Sequence, residues 1–143
     1  MIKYDPGVPT HCPPKEAEER DAVLYRICAT NPPSPDDYAS HLNSKHQNKR
    51  ELAARKLKRD PSDCSPSGLS VWITEVDMRH ACAAFAFAEG RYVFTTEVKA
   101  NEGKLQPTSE HEHHTYWPRA STNLVSRATL AFGPVDRATV NVD

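Results

Sequence analysis

Three observations predict an α+β domain on a small split sheet, mixed or antiparallel, with a buried helix directly after the second strand. Residues 22–29, AVLYRICA, and 91–99, RYVFTTEVK, alternate with the period of half-buried strands. Between them GLSVWI reads as a short apolar strand. The segment after it opens on a capping box of Thr74 and Asp77, repeats apolar residues at helical spacing, and stops at Gly90.

A chain of 143 residues fits one domain and can bury a core without metals or cross-links. An apolar fraction of 38% with 12 prolines points to a compact centre and long loops. The expected organisation is an extended N-terminal arm over 1–21, one α+β domain over 22–133, and a C-terminal tail over 134–143. A formal net charge of −1 excludes a globally basic nucleic-acid binder but leaves room for a local basic patch. No stretch approaches the roughly 20 apolar residues of a membrane helix. The N-terminus lacks an apolar signal core, so a cytoplasmic location is expected. Cys12, Cys28, Cys64 and Cys82 form no CxxC pair. In that compartment they are expected as thiols, with Cys28 and Cys82 in the core.

On the first strand Val23, Tyr25 and Ile27 share one face and Leu24, Arg26 and Cys28 the other. Arg26 is the anomaly, because a guanidinium on an inward face needs an anion or a pocket mouth. Asn31-Pro32-Pro33 ends the strand. Ser34 as N-cap, Pro35 at the first position and Asp36 and Asp37 near the positive end predict a short helix through Leu42. Residues 44–60 predict a second helix with a thin apolar stripe of Leu52, Ala53 and Leu57. Lys45, Lys49, Arg50, Arg55, Lys56, Lys58 and Arg59 cover its other sides. In the strand Leu69–Ile73, Ser70 and Trp72 face opposite to Leu69, Val71 and Ile73. The next helix carries Met78, Ala81, Cys82 and Phe85 on one face. Val76, Ala84 and Phe87 make its flanks apolar, so burial on more than one side is expected. After the strand Arg91–Lys99, residues 100–109 read as a polar loop. SEHEHHTYWP follows, then a short helix or turn near Thr122–Arg127 and a strand at Thr129–Phe132. The tail either pairs as an edge strand or stays loose.

The residues with chemical meaning are Arg26 on the first strand, Ser70 on the second, and the pair Glu110-x-Glu112. Tyr25-Arg26, Gly68-Leu69-Ser70-Val71-Trp72, the helix through Ala81–Phe85, the strand Tyr92–Val98 and the E-x-E pair follow in that order. This arrangement, spanning Leu24 to Glu112, resembles the arginine-serine-glutamate class of the ADP-ribosyltransferase superfamily. The family's S-T-S pattern is here Ser70-Val71-Trp72. The chain also resembles small uncharacterised bacterial proteins with an L-Y-R start, an N-P-P turn and a G-[IL]-S-V-[YW] strand.

The resemblance implies NAD as substrate and ADP-ribose transfer to a protein or nucleic acid. Arg26 would hold the dinucleotide, Ser70 would brace the pocket, Glu112 would stabilise the ribosyl cation and Glu110 would orient the acceptor. By analogy such modules serve as toxins or in conflict between microbes and phages, with a neutralising partner protein. The chemistry is coherent. Cleaving the nicotinamide–ribose bond develops positive charge on the ribose, which a carboxylate stabilises. A guanidinium grips a diphosphate through paired hydrogen bonds. Trp72 or Tyr25 offers a face for base stacking. His113 or His114 can share the pocket with Glu112 as general acid or base.

Two other classes compete. One is a non-catalytic interaction protein on the same scaffold, docking phosphates or an acidic partner through the basic helix 45–59. The other is a metal-dependent hydrolase or nuclease using His111, His113 and His114, with His11-Cys12 from the arm. No cysteine pair or H-E-x-x-H helix completes such a site, so no functional metal is expected. His80 and Cys82, two apart on a helix, point in different directions, which makes Cys82 core filler rather than a nucleophile.

Overall fold

The computed structural model describes residues 3–108 and 112–141. Strands β1 (Ala22–Cys28), β2 (Leu69–Val71), β3 (Tyr92–Val98), β4 (Gly103–Pro107), β5 (His114–Pro118) and β6 (Thr129–Phe132) are joined by helices α1 (Gln47–Arg59) and α2 (Glu75–Ala84) and by short 3-10 turns. They pair as two three-stranded antiparallel sheets, in the orders β1-β3-β6 and β2-β5-β4. The sheet is therefore split and antiparallel, within an α+β fold. Its halves meet where Tyr25 and Trp72 exchange backbone hydrogen bonds of 2.7 and 2.9 Å. That seam brings Arg26 of one sheet beside Ser70 of the other.

Strand alternation sets what each face covers. Leu24 and Cys28 of β1 are buried, and Arg26 between them is half-buried and faces the same way. Leu24, Leu69, Val71, Val98, Leu105, Tyr116 and Leu124 make one core cluster. A second packs Trp72 and Val93 against Met78, Ala81 and Cys82 of α2. Met78 is fully buried, which contributes on the order of 2–3 kcal/mol. Thr74 caps α2 through its Oγ1, which accepts the Asp77 N–H at 3.1 Å. The expectation that α2 is buried on more than one side is corrected: Val76 is 64% exposed and Phe87 55%. The helix ends at Ala84, and a separate 3-10 turn, Ala86–Ala88, carries Phe87 out to the surface.

Three further readings change. Residues 100–109 are not simply a loop, because Gly103–Pro107 forms β4, paired residue for residue with Pro118–His114 of β5. The arm and the tail are docked over their described residues. Glu18 and Leu105 exchange backbone hydrogen bonds of 2.8 and 2.9 Å, and Val135 and Val140 enter the α2 core. Arg79 donates to the Val140 carbonyl at 3.1 Å, so the tail packs along α2 rather than pairing as an edge strand or staying loose. Finally, Cys12 and Cys64 are joined as a disulfide, with Cα atoms 5.6 Å apart, where four thiols were expected. The bond ties the arm to the turn before β2 and sits with Ala17 and Trp117 in a third cluster. Cys28 and Cys82 are free and buried, as expected. Among the described residues no helix is long and apolar enough to cross a membrane.

Candidate functional site

The seam between the sheets opens into a cavity of about 500 Å³, within the size range of small-ligand sites. Arg26, Ser70, Trp72 and His113 all line it, although Arg26 lies on β1, Ser70 on β2, Trp72 just after β2 and His113 just before β5. Ser70 and Trp72 reach it together because alternation on β2 turns them away from Leu69 and Val71. The backbone can come this close only because position 68 is glycine. A Cβ there would lie 2.4 Å from Thr115 Cγ2 and 3.0 Å from the Trp117 ring.

Arg26 is held differently from a free anion clamp. Its Nε–H donates to the Asp37 carbonyl and its Nη1 to the Ser70 carbonyl at 2.8 Å. The Tyr38 ring centroid is 5.9 Å from the guanidinium carbon. The guanidinium thus joins β1, β2 and the Pro35–Tyr38 turn, and Nη2 carries no hydrogen bond among the described residues. Burial pulls the Arg26 pKa below its ordinary value, yet a guanidinium stays charged in proteins. The same burial pushes the neighbouring Cys28 thiol up to about 11, so it is no nucleophile at neutral pH.

His113 sits edge-on to Trp72, with ring centroids 5.2 Å apart. Its Nδ1 shares a proton with Thr108 Oγ1 at 2.9 Å, and Thr108 in turn meets Thr115 Oγ1 at 2.8 Å. Burial, then the charges of His114 and Arg26, lower its pKa. A neutral, oriented imidazole on the cavity wall can move a proton at neutral pH. His114 points elsewhere: it is buried, and its Nδ1 donates to the Glu112 carbonyl at 2.8 Å. The two histidines do not share a face, and His111 lies outside the described residues. Among the described residues the cluster that could hold a metal is His11, Cys12 and Cys64. Its two sulfurs are bonded to each other, and neither is the thiolate that ligates metals.

Two residues expected at the site do not line the cavity. Tyr25 packs partly buried against the α2 core. Glu112 is exposed in a turn, at a φ of 58°. Glu110 lies outside the described residues. In their place come Lys49 and Lys56 of the basic helix, and Asp36, Asp37, His41, Phe87 and Arg91, which the sequence did not single out as ligands. Both aspartates are occupied. Asp37 accepts the N–H groups of Ala29 at 2.9 Å and Ser34 at 2.8 Å. Asp36 accepts the Lys45 N–H at 2.7 Å and pairs with His46 at 3.4 Å. Burial opposes its charge, but the Lys45 N–H and the Ser44 hydroxyl hold its carboxyl below the usual range. Four permanent cations thus face two engaged carboxylates, and the cavity is electropositive on a chain of net charge −1.

Aromatic surface completes the walls. Phe87 stacks on Phe85 with centroids 5.4 Å apart, and Arg91 stands 6.0 Å from the Phe87 ring. The arrangement can take a flat, anionic molecule: an aromatic wall for a ring, cations for negative charge, and hydroxyls and an imidazole for hydrogen bonds. Comparison with protein-family models, curated proteins and solved structures returns no match to this chain.

Proposed function

We propose that the cavity binds an NAD-type dinucleotide and that the chain is an ADP-ribosyltransferase-like protein modifying a protein or nucleic acid. One observation carries this reading. Arg26, Ser70, Trp72 and His113, chosen on chemical grounds and separated by up to most of the chain, line one electropositive cavity. Phe87 supplies stacking surface, the cations face the diphosphate, and His113 is oriented to exchange a proton. The carboxylate that stabilises a ribosyl cation comes from Glu110 or Glu112. A toxin or phage-conflict role, with a neutralising partner, is the biological setting that resemblance suggests.

A second reading has its own support. Glu112 does not line the cavity, and most of the Arg26 guanidinium is committed to backbone carbonyls. A ligand-binding scaffold without transfer chemistry fits those two facts. Incubation with NAD, with calorimetry for binding and chromatography for released nicotinamide, separates the readings. Transfer chemistry requires binding and nicotinamide release, with turnover but not binding lost in Glu110→Gln or Glu112→Gln. Binding without release leaves the scaffold. No binding of NAD removes the dinucleotide assignment.

A further inference from the structure

Five of the seven basic residues at 45–59 are exposed: Lys45, Arg50, Arg55, Lys58 and Arg59. Lys49 and Lys56 are different. They flank the buried Ala53 on the inward face of α1, are half-buried, and line the cavity. Neither makes a hydrogen bond or ion pair among the described residues; Lys49 acts on Asp36 only through charge, and both Asp36 and Asp37 on this wall already accept hydrogen bonds. His41 lies on the same wall. Burial, then Lys49, Lys56 and Arg26, hold its pKa down. Ser40, also on this wall, is buried, and its hydroxyl has no hydrogen-bond partner among the described residues. Half-buried like charges in excess of the carboxylates beside them repel one another, and the natural relief is an anionic ligand.

We propose that Lys49 and Lys56, with His41 and Ser40 beside them, form the diphosphate subsite of the cavity. The 40–59 segment, rather than Arg26, then carries the main grip on phosphate. Positions seven apart on a helix stand about 10 Å apart along its axis. Two lysines so spaced bracket a group longer than a single phosphate, which selects a diphosphate. Arg26 contributes at most its Nη2. The proposal rests on the nucleotide reading of the cavity and deepens it.

The test is calorimetry with inorganic pyrophosphate, ADP-ribose and adenosine on four proteins. These are the parent, Lys49→Met/Lys56→Met, Lys45→Met/Lys58→Met as an equal change of net charge on the exposed face, and Phe87→Ala. The parent is expected to bind pyrophosphate and ADP-ribose, more weakly as salt rises. The inward double variant should lose pyrophosphate and bind ADP-ribose about 100-fold more weakly, roughly tenfold per lysine. The outward double variant should bind like the parent. In the absence of ligand, the inward variant should melt no lower than the parent, which excludes misfolding as the cause. Single Lys49→Gln and Lys56→Gln variants keep the test usable if the double variant fails to fold. Equal ADP-ribose binding by the parent and the inward variant would overturn the subsite and leave the nucleotide reading standing. Pyrophosphate lost in the inward variant, with ADP-ribose no tighter than pyrophosphate and indifferent to Phe87→Ala, supports the subsite and removes the nucleotide. An outward variant as impaired as the inward one overturns the proposal in favour of diffuse charge.

Discussion

Arg26 separates a structural role from a ligand-binding one. In the free protein its Nε–H and Nη1 already donate to the carbonyls of Asp37 and Ser70. Hydrogen bonds with a charged partner contribute about 1.5–3 kcal/mol each. Arg26→Met keeps the apolar stem and removes both bonds. The expected loss is about 3 kcal/mol, the low end of the sum, because water reaches a half-buried site and satisfies the released carbonyls. Arg26→Lys keeps the charge, but one ammonium cannot reproduce the fork that spans two carbonyls, so about half that loss is expected. At about 3 °C per kcal/mol for a chain of this size, melting falls by roughly 9 °C and 4–5 °C. Urea and thermal unfolding of the ligand-free protein measure both values. Unchanged stability in both variants, with only ligand binding lost, would refute the reasoning and return Arg26 to the role of a free clamp.

Gly68→Ala places a Cβ 2.4 Å from Thr115 Cγ2, and overpacking of this kind costs about 1–3 kcal/mol, read as a lower urea midpoint. Cys12→Ser opens the link across 52 residues of sequence to Cys64; a loss of about 2–4 kcal/mol is expected, and reducing the parent with dithiothreitol should reproduce it. Glu102 is held down to about 2 from an ordinary 4.5 by hydrogen bonds from Arg127 and then from the Lys99 N–H. Because the folded value lies below the unfolded one, its stabilisation is complete above pH 4.5 and is lost as pH falls toward 2. Glu102→Gln should therefore flatten the pH dependence of stability in that window, as followed by circular dichroism.

Local pattern was legible where burial follows a period. The alternation in β1 and β3 and the Thr74 cap needed no tertiary information, whereas Gly90, expected to stop the helix, does not: α2 already ends at Ala84. The failures share a cause. β4, GKLQP, has few strand-forming residues and is a strand because β5 offers it five pairing partners. The helix at 47–59 shows an apolar stripe, yet only Ala53 is buried, since this face looks partly onto the cavity rather than wholly onto a core. Phe87 reads as core by its chemistry and is surface because α2 stops three residues earlier. In the candidate site, Ser70 and Trp72 were recognisable from their parity on β2. Lys49 and Lys56 were not, because nothing in a run of seven basic residues marks which two turn inward.

The sequence by itself determined the α+β class, the main strands and helices, and the set of polar residues able to do chemistry, because these depend on spacings of two to four residues. Only the tertiary structure decided that Cys12 finds Cys64, that the arm and the tail dock, and that the Arg26 guanidinium spends its hydrogen bonds on backbone carbonyls. Each of those outcomes depends on which surfaces meet across tens of residues. A short-range pattern carries no record of such encounters.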